Sequence, residues 1–135
     1  MKIKKWITKA VVAVKPETSS KEAFHLMKSL GIRHLPVVKD GVLKGIVTDR
    51  DLRRPKISDV FKTWNDLYRI GDEILVEDIM VSPVLTITEE SLIKDAAKAM
   101  VEHRIGALPV TNKTGKLVGI ITESDILRAF VAGKH

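Results

Sequence analysis

GIRHLPVVKDGVLKGIVTDRDLRR, residues 31–54, decides how this chain folds, because residues 104–128, RIGALPVTNKTGKLVGIITESDILR, repeat it. In both copies a Leu-Pro-Val strand, a tight turn, a second apolar strand and Thr-x-x-Asp at a helix start follow in one order. Pro36 matches Pro109 at an offset of 73, and Asp51 matches Asp125 at an offset of 74. The extra residue falls in the hairpin turn, where a change of length costs least.

Working outward, the first unit opens with an expected strand over 10–14 that stops at Pro16, which cannot donate to a ladder. Thr18 or Ser19 offers a side-chain oxygen to a new helix. Ala23, Met27 and Leu30 give it one apolar stripe, and Gly31 ends it. A strand over 32–38, a turn at Lys39-Asp40-Gly41 and a return strand over 42–47 follow. Thr48 caps a helix expected to run to Arg54, before Pro55. Residues 55–78 are not repeated; Val60, Phe61, Trp64, Leu67 and Tyr68 stand there at helical spacing behind Ser58. That helix is a satellite packed over the repeats or an aromatic docking face.

The second unit restates the first. A strand over 84–87 follows Pro83, and Ser91 stands where Thr18 stood. Ile93, Ala96, Ala97 and Met100 form the stripe, and a hairpin over 107–122 turns through 112–115. Each unit reads β-α-β-β-α, with the first strand parallel to the hairpin. The fold class is therefore α/β (α+β), with units at 1–54 and 79–135 and a helical insert at 55–78. Units this small cover their sheets by packing on each other, so a pseudo-twofold pair with two equivalent clefts is expected.

Composition narrows the chemistry. The 135 residues are 44% hydrophobic and 30% charged, without a cysteine, so thiolate chemistry and disulfides are excluded. The N-terminal apolar run is broken by Lys9 and is too short for a signal or a membrane span, which makes a soluble cytoplasmic protein the expectation. Formal charge is uneven, +9 over residues 1–71 and −3 over 72–135. The basic residues stand singly and without interleaved aromatics, so nucleic acid is a weak alternative to plain solvation or a phosphorylated small ligand.

No catalytic set is visible. Ser91-Leu92-Ile93-Lys94 fits S-x-x-K by chance, without companion motifs. His25, His34, His103 and His135 lack metal-ligand spacing. What remains is Gly45-Ile46-Val47-Thr48-Asp49-Arg50-Asp51 and its copy, Gly119-Ile120-Ile121-Thr122-Glu123-Ser124-Asp125. Thr-x-x-Asp is close to a capping box, where a carboxylate in the first turn contributes ~0.3–1 kcal/mol through the helix dipole. Asp in place of the longer Glu or Gln, and the absence of this spacing at the other helix starts, point beyond capping. A carboxylate there can take both hydroxyls of a ribose. On residues alone, ligand binding and capping stand level.

The duplicated Leu-Pro-Val and G-h-h-T-x-x-D motifs resemble a tandem pair of cystathionine β-synthase (CBS) domains, the Bateman module, over essentially the whole chain. IRHLPVV, HRIGALPV and the insert are most similar to CBS pairs of acetoin-utilisation-type proteins. The resemblance implies regulatory binding of an adenosine-containing ligand, AMP foremost, with ADP, ATP, S-adenosylmethionine or NAD as alternatives and no catalytic cofactor. It assigns ribose to Thr122 and Asp125 in one cleft, with Ile120, Val12, Ile32 and Pro36 about the base. Arg33 and His34 meet the phosphate there. The other cleft takes Thr48 and Asp51 with Ile46, Val84, Leu85, Ile105, Gly106 and Pro109.

The copies differ where phosphate would sit: Arg33-His34 precedes Leu-Pro-Val in the first, Gly106-Ala107 in the second. Charge-assisted contacts are worth roughly 1.5–3 kcal/mol each. The sites are therefore expected to be unequal, with the Asp125 cleft taking the phosphorylated ligand. The resemblance also implies a homodimer, or an unidentified effector protein, as the route of output. The alternative from another class is an interaction module with vestigial clefts.

Overall fold

The computed structural model describes residues 1–51 and 74–133. Its elements are α1 (Ser20–Leu30), β1 (His34–Lys39), β2 (Val42–Thr48), α2 (Val76–Ile79), α3 (Ile93–His103), β3 (Ala107–Thr111), β4 (Leu117–Thr122) and α4 (Glu123–Val131), with a 3-10 turn at Ile3–Lys5. The expected course of a helix from Thr48 to Arg54 beyond Asp51, and the insert helix around Trp64, lie outside the described residues.

Local chemistry sets the helix ends. Ser19 is the N-cap of α1, its hydroxyl accepting from the Glu22 N–H at 3.1 Å, and Gly31 closes the helix at φ 65°. Thr18 does different work: its Oγ1 accepts from the Lys15 N–H at 3.0 Å. Ser91 repeats it, accepting from the Thr88 N–H at 3.2 Å. The matching helix of the second copy, α3, has Leu92 at its N-cap without a side-chain cap bond and ends on Arg104 in the left-handed conformation that Gly31 adopts without strain.

Both hairpins are antiparallel and form separate two-stranded sheets. In the first, Pro36 pairs with Ile46 and Val37 with Gly45; in the second, Pro109 pairs with Ile120 and Val110 with Gly119. Asp40 and Gly41 both have positive φ, 53° and 81°, the two-residue turn that matches strand twist. The second turn is longer and is tied by Asn112, whose Oδ1 accepts from the Thr114 and Lys116 N–H groups at 3.0 and 3.1 Å. The odd residue of the repeat is absorbed between Val110 and Gly119, as the offsets require.

The strands expected over 10–14 and 84–87 are corrected to single bridges. Val14 lies parallel to Val37, donating to the Pro36 carbonyl at 3.0 Å and accepting from the Val38 N–H at 2.8 Å. Ile87 lies parallel to Val110, bonded to Pro109 and Thr111. The parallel sense is as expected, but the length is not. In each case the next residue's N–H, of Lys15 or Thr88, goes to the Thr18 or Ser91 hydroxyl, which withdraws it from the ladder.

The chain forms two compact units. One is Val12–Val84; the other joins Met1–Val11 to Leu85–His135. The first core comprises Val14, Ala23, Met27, Leu35, Val37, Val47 and Val76. The second comprises Ile3, Ile93, Ala96, Met100, Leu108, Val110, Ile121 and Ala129. Ile3 and Val76, 73 residues apart, are both fully buried. Each belongs to a segment, here called a strap, that precedes one unit in sequence and packs into the other.

The straps dock through the same bonds. Ile3 donates to the Ser91 carbonyl at 2.9 Å and Met1 accepts from Ile93 at 2.8 Å; Val76 donates to Thr18 at 2.7 Å and Ile74 accepts from Ser20 at 2.8 Å. At their far ends Thr8 exchanges both backbone bonds with Ile120, and Val81 with Ile46. Among the described residues no helix is long and apolar enough to cross a membrane.

Candidate functional site

The motif carboxylates are buried by the turn that presents them. Thr48 ends β2, and its backbone N–H donates to Asp51 Oδ2 at 2.8 Å, while Asp51 N–H donates to Thr48 Oγ1 at 3.1 Å. In the second copy Thr122 N–H donates to Asp125 Oδ2 at 2.8 Å, and the Thr122 hydroxyl donates to the same oxygen at 3.1 Å. Asp51 and Asp125 are each 2% exposed, whereas both threonines are half-buried. The second carboxylate oxygen, Asp125 Oδ1, pairs with the Arg128 guanidinium one turn along α4.

This geometry corrects one argument from the sequence. Asp does close a capping box despite its shorter reach than Glu. With Thr122 extended at φ −118° and ψ 170°, its own N–H lies over the first turn, within range of a side chain one methylene shorter. Capping of α4 is thus a present role of Asp125, and Asp51 makes the corresponding pair of bonds with Thr48. It does not exhaust a buried carboxylate, which has about four acceptor sites.

Hairpin register decides what stands beside each motif. His34 pairs with Thr48, and the Asp49 N–H donates to the Arg33 carbonyl at 3.1 Å. Ala107 pairs with Thr122, and the Glu123 N–H donates to the Gly106 carbonyl at 3.0 Å. The residues before Leu-Pro-Val therefore lie at the same hairpin end as their own unit's Thr-x-x-Asp. Arg33 is exposed and His34 half-buried, so the end bearing Asp51 is basic and polar. The end bearing Asp125 has only Gly106 and Ala107 in those places.

The apolar candidates divide by depth. Pro36 and Pro109 are fully buried, and Ile46 and Ile120 are 9% and 8% exposed behind the threonines. Ile32, Val84 and Ile105 are half-buried, while Val12 and Leu85 are exposed. Val12, Ile32, Arg33, His34, Pro36, Ile46, Thr48, Asp51 and Val84 belong to the Val12–Val84 unit. Leu85, Ile105, Gly106, Pro109, Ile120, Thr122 and Asp125 belong to the other.

Sequence reasoning missed the straps and the reason for the motif glycines. A Cβ at Gly45 would lie 2.5 Å from Met80 Sδ and 3.0 Å from the Val81 carbonyl oxygen. At Gly119 it would lie 3.0 Å from both Ile7 Cδ1 and the Thr8 oxygen. Each glycine makes room for a strap against the strand that leads into Thr-x-x-Asp. The signal was available: Ile3 and Ile7 recur as Val76 and Met80 at the 73-residue offset, so the repeat begins upstream of residue 10.

The repeated hairpin with its Thr-Asp helix start defines the class, and the family comparison agrees: CBS domains match at residues 3–56 and 76–132, and the chain belongs to that family. Protein MJ1225 of Methanocaldococcus jannaschii is 36% identical over 93% of this chain and 45% of its own length. An inosine-5′-monophosphate dehydrogenase of Korarchaeum cryptofilum is 34% identical over 90% of this chain, but over 22% of that enzyme. The chain thus spans less than half the length of these two relatives.

Among solved structures, CBSX2 in complex with AMP superposes with a TM-score of 0.82 at 28% identity, covering 99% of this chain and 98% of that one. The CBS pair of MJ0100, in complex with 5′-methylthioadenosine and S-adenosyl-L-methionine, gives 0.80 at 27%, covering 96% and 99%. An acetoin utilization protein (AcuB) from Vibrio cholerae gives 0.79 at 29%, covering 98% and 91%. The expected likeness to acetoin-utilisation-type CBS pairs holds.

Proposed function

We propose that this chain is a regulatory module that binds an adenosine-containing ligand, AMP the first choice, and acts by changing its association with a second copy or a partner protein. The observation that carries this reading is the pair of buried Thr-Asp motifs, each at a hairpin end and each in the same register. Support comes from CBSX2, a structural neighbour matched over nearly all of its solved chain, whose complex contains AMP, and from the CBS domain pair of MJ0100, whose complex contains two other adenosyl compounds.

In this reading Asp125 and Thr122 take the ribose of the phosphorylated ligand, with Ile120 behind them. Asp51 and Thr48 take a second ribose, with Ile46 behind them. Ligand binding then biases a pre-existing equilibrium by its differential affinity for the two states.

A thermal-shift panel of AMP, ADP, ATP, S-adenosylmethionine and 5′-methylthioadenosine tests the reading. A bound compound at ~100 times its Kd stabilises by about 2.7 kcal/mol. The competing reading, an interaction module whose motifs are helix caps alone, has the observed capping bonds behind it. A flat panel would favour it.

A further inference from the structure

The exchanged straps carry an inference beyond ligand binding. The strap Met1–Val11 is held at one end by Ile3 and Met1 on the start of α3, and at the other by the Thr8–Ile120 bridge. Ile120 stands two residues before Thr122, so this bridge fixes the strand that delivers the motif to its place. Along Met1–Val11 Ile3 is the one fully buried side chain, and the only helical structure is a three-residue 3-10 turn. An element with so few buried side chains opens at a fraction of the global unfolding free energy.

We propose that each strap is the coupling element of the motif it abuts: ligand at Thr122–Asp125 tightens the docking of Met1–Val11, and ligand at Thr48–Asp51 tightens that of residues 74–84. This rests on the adenosine-ligand reading. Undocking leaves the Ile120 N–H and C=O unpaired and frees the strand leading into Thr122. The docked state therefore holds the motif in its binding geometry, and the linkage is reciprocal. Gly119 and Gly45 are the cradles that permit the approach.

The exchange gives this coupling a covalent route. The chain leaves the strap at Val11 and enters the other unit at Val12, and it passes back at Val84–Leu85. Occupancy of one unit's motif is thereby transmitted through the covalent chain to the other unit. Thr8 and Ile7 in one strap, and Val81 and Met80 in the other, are positioning residues that contact no ligand in this scheme.

Hydrogen exchange on the full chain, with AMP as the probe, tests it. AMP should slow exchange at Ile3, Thr8 and Ile120 by roughly ten-fold, within the usual range of coupling between sites, and Asp125→Asn should abolish that response. Gly119→Ala crowds the strap at Ile7 and the Thr8 carbonyl while keeping Thr122 and Asp125; it should weaken AMP binding roughly ten-fold, with a wild-type melting transition for the Val12–Val84 unit. The proposal is overturned if AMP binds the wild type yet these three amides exchange unchanged, or if Gly119→Ala binds AMP as the wild type does. Where Gly119→Ala does not fold, the wild-type exchange pattern decides. Absence of AMP binding to the wild type overturns the AMP reading and the coupling with it, and no other outcome touches both.

Discussion

Asp125 commits Oδ2 to Thr122 and Oδ1 to Arg128, so its removal has two separable consequences. Asp125→Ala deletes the return half of the capping box, and urea denaturation should register a loss of about 1 kcal/mol. Asp125→Asn keeps an oxygen for the Thr122 N–H and gives up the charge at the helix start. It should cost less, ~0.3–1 kcal/mol. Equal losses in the two variants would contradict the assignment of Oδ2 as a cap acceptor. The residue types and the spacing of this site were legible in the sequence, because Thr-x-x-Asp is a contiguous pattern. Its capping geometry was not, because it turns on the extended backbone of Thr122 and on a side-chain reach that residue types leave open. The approach of Ile7 to Gly119 was hidden for another reason: it joins residues far apart in sequence.

At the scale of elements, the strap Met1–Val11 yields the sharpest expectations. Ile3 is fully buried in the second core, and Ile3→Ala should destabilise that unit by about 2–5 kcal/mol. Hydrogen exchange should show faster exchange in α3 and β4 and wild-type rates in α1; uniform acceleration would mean that the straps do not belong to separate units. The strap's outer edge also carries a pH-dependent contact. Hydrogen bonding to Lys2, followed by the charges of Lys2 and Lys4, holds the exposed Glu90 carboxyl below its usual range. A lowered folded-state pKa contributes stability above the ordinary carboxylate range, and that contribution is lost as pH falls through the folded value. Strap amides should therefore exchange relatively faster in acid, and Glu90→Gln should remove that dependence; a variant that keeps it would place the titration elsewhere.

The hairpins and helices were legible because local rules set them: two positive-φ residues at the first turn, Ser19 and Gly31 at the ends of α1, and apolar stripes at helical spacing. The lead-in strands were not, because the Thr18 and Ser91 hydroxyls take the N–H groups that would have extended them. The straps were not legible for a compositional reason. Lys2, Lys4 and Lys5 surround Ile3, so the segment looks like a solvated terminus until its 73-residue partner around Val76 is set beside it.

For the whole molecule, the duplication builds equivalent backbones and unequal chemistry. Both copies keep the Leu-Pro-Val register, the glycine cradle and the Thr-Asp cap, yet only one places Arg and His before Leu-Pro-Val. The basic excess of the first half of the chain includes Arg33, which gives the charge asymmetry a reading in terms of a phosphorylated small ligand. Calorimetric titration of wild type, Asp125→Asn and Asp51→Asn with AMP tests the central claim most directly. The account predicts that wild type binds AMP, that Asp125→Asn loses the tighter event, and that Asp51→Asn retains it. Retention of full affinity by Asp125→Asn together with its loss in Asp51→Asn would contradict the account, as would a wild type that takes up no AMP.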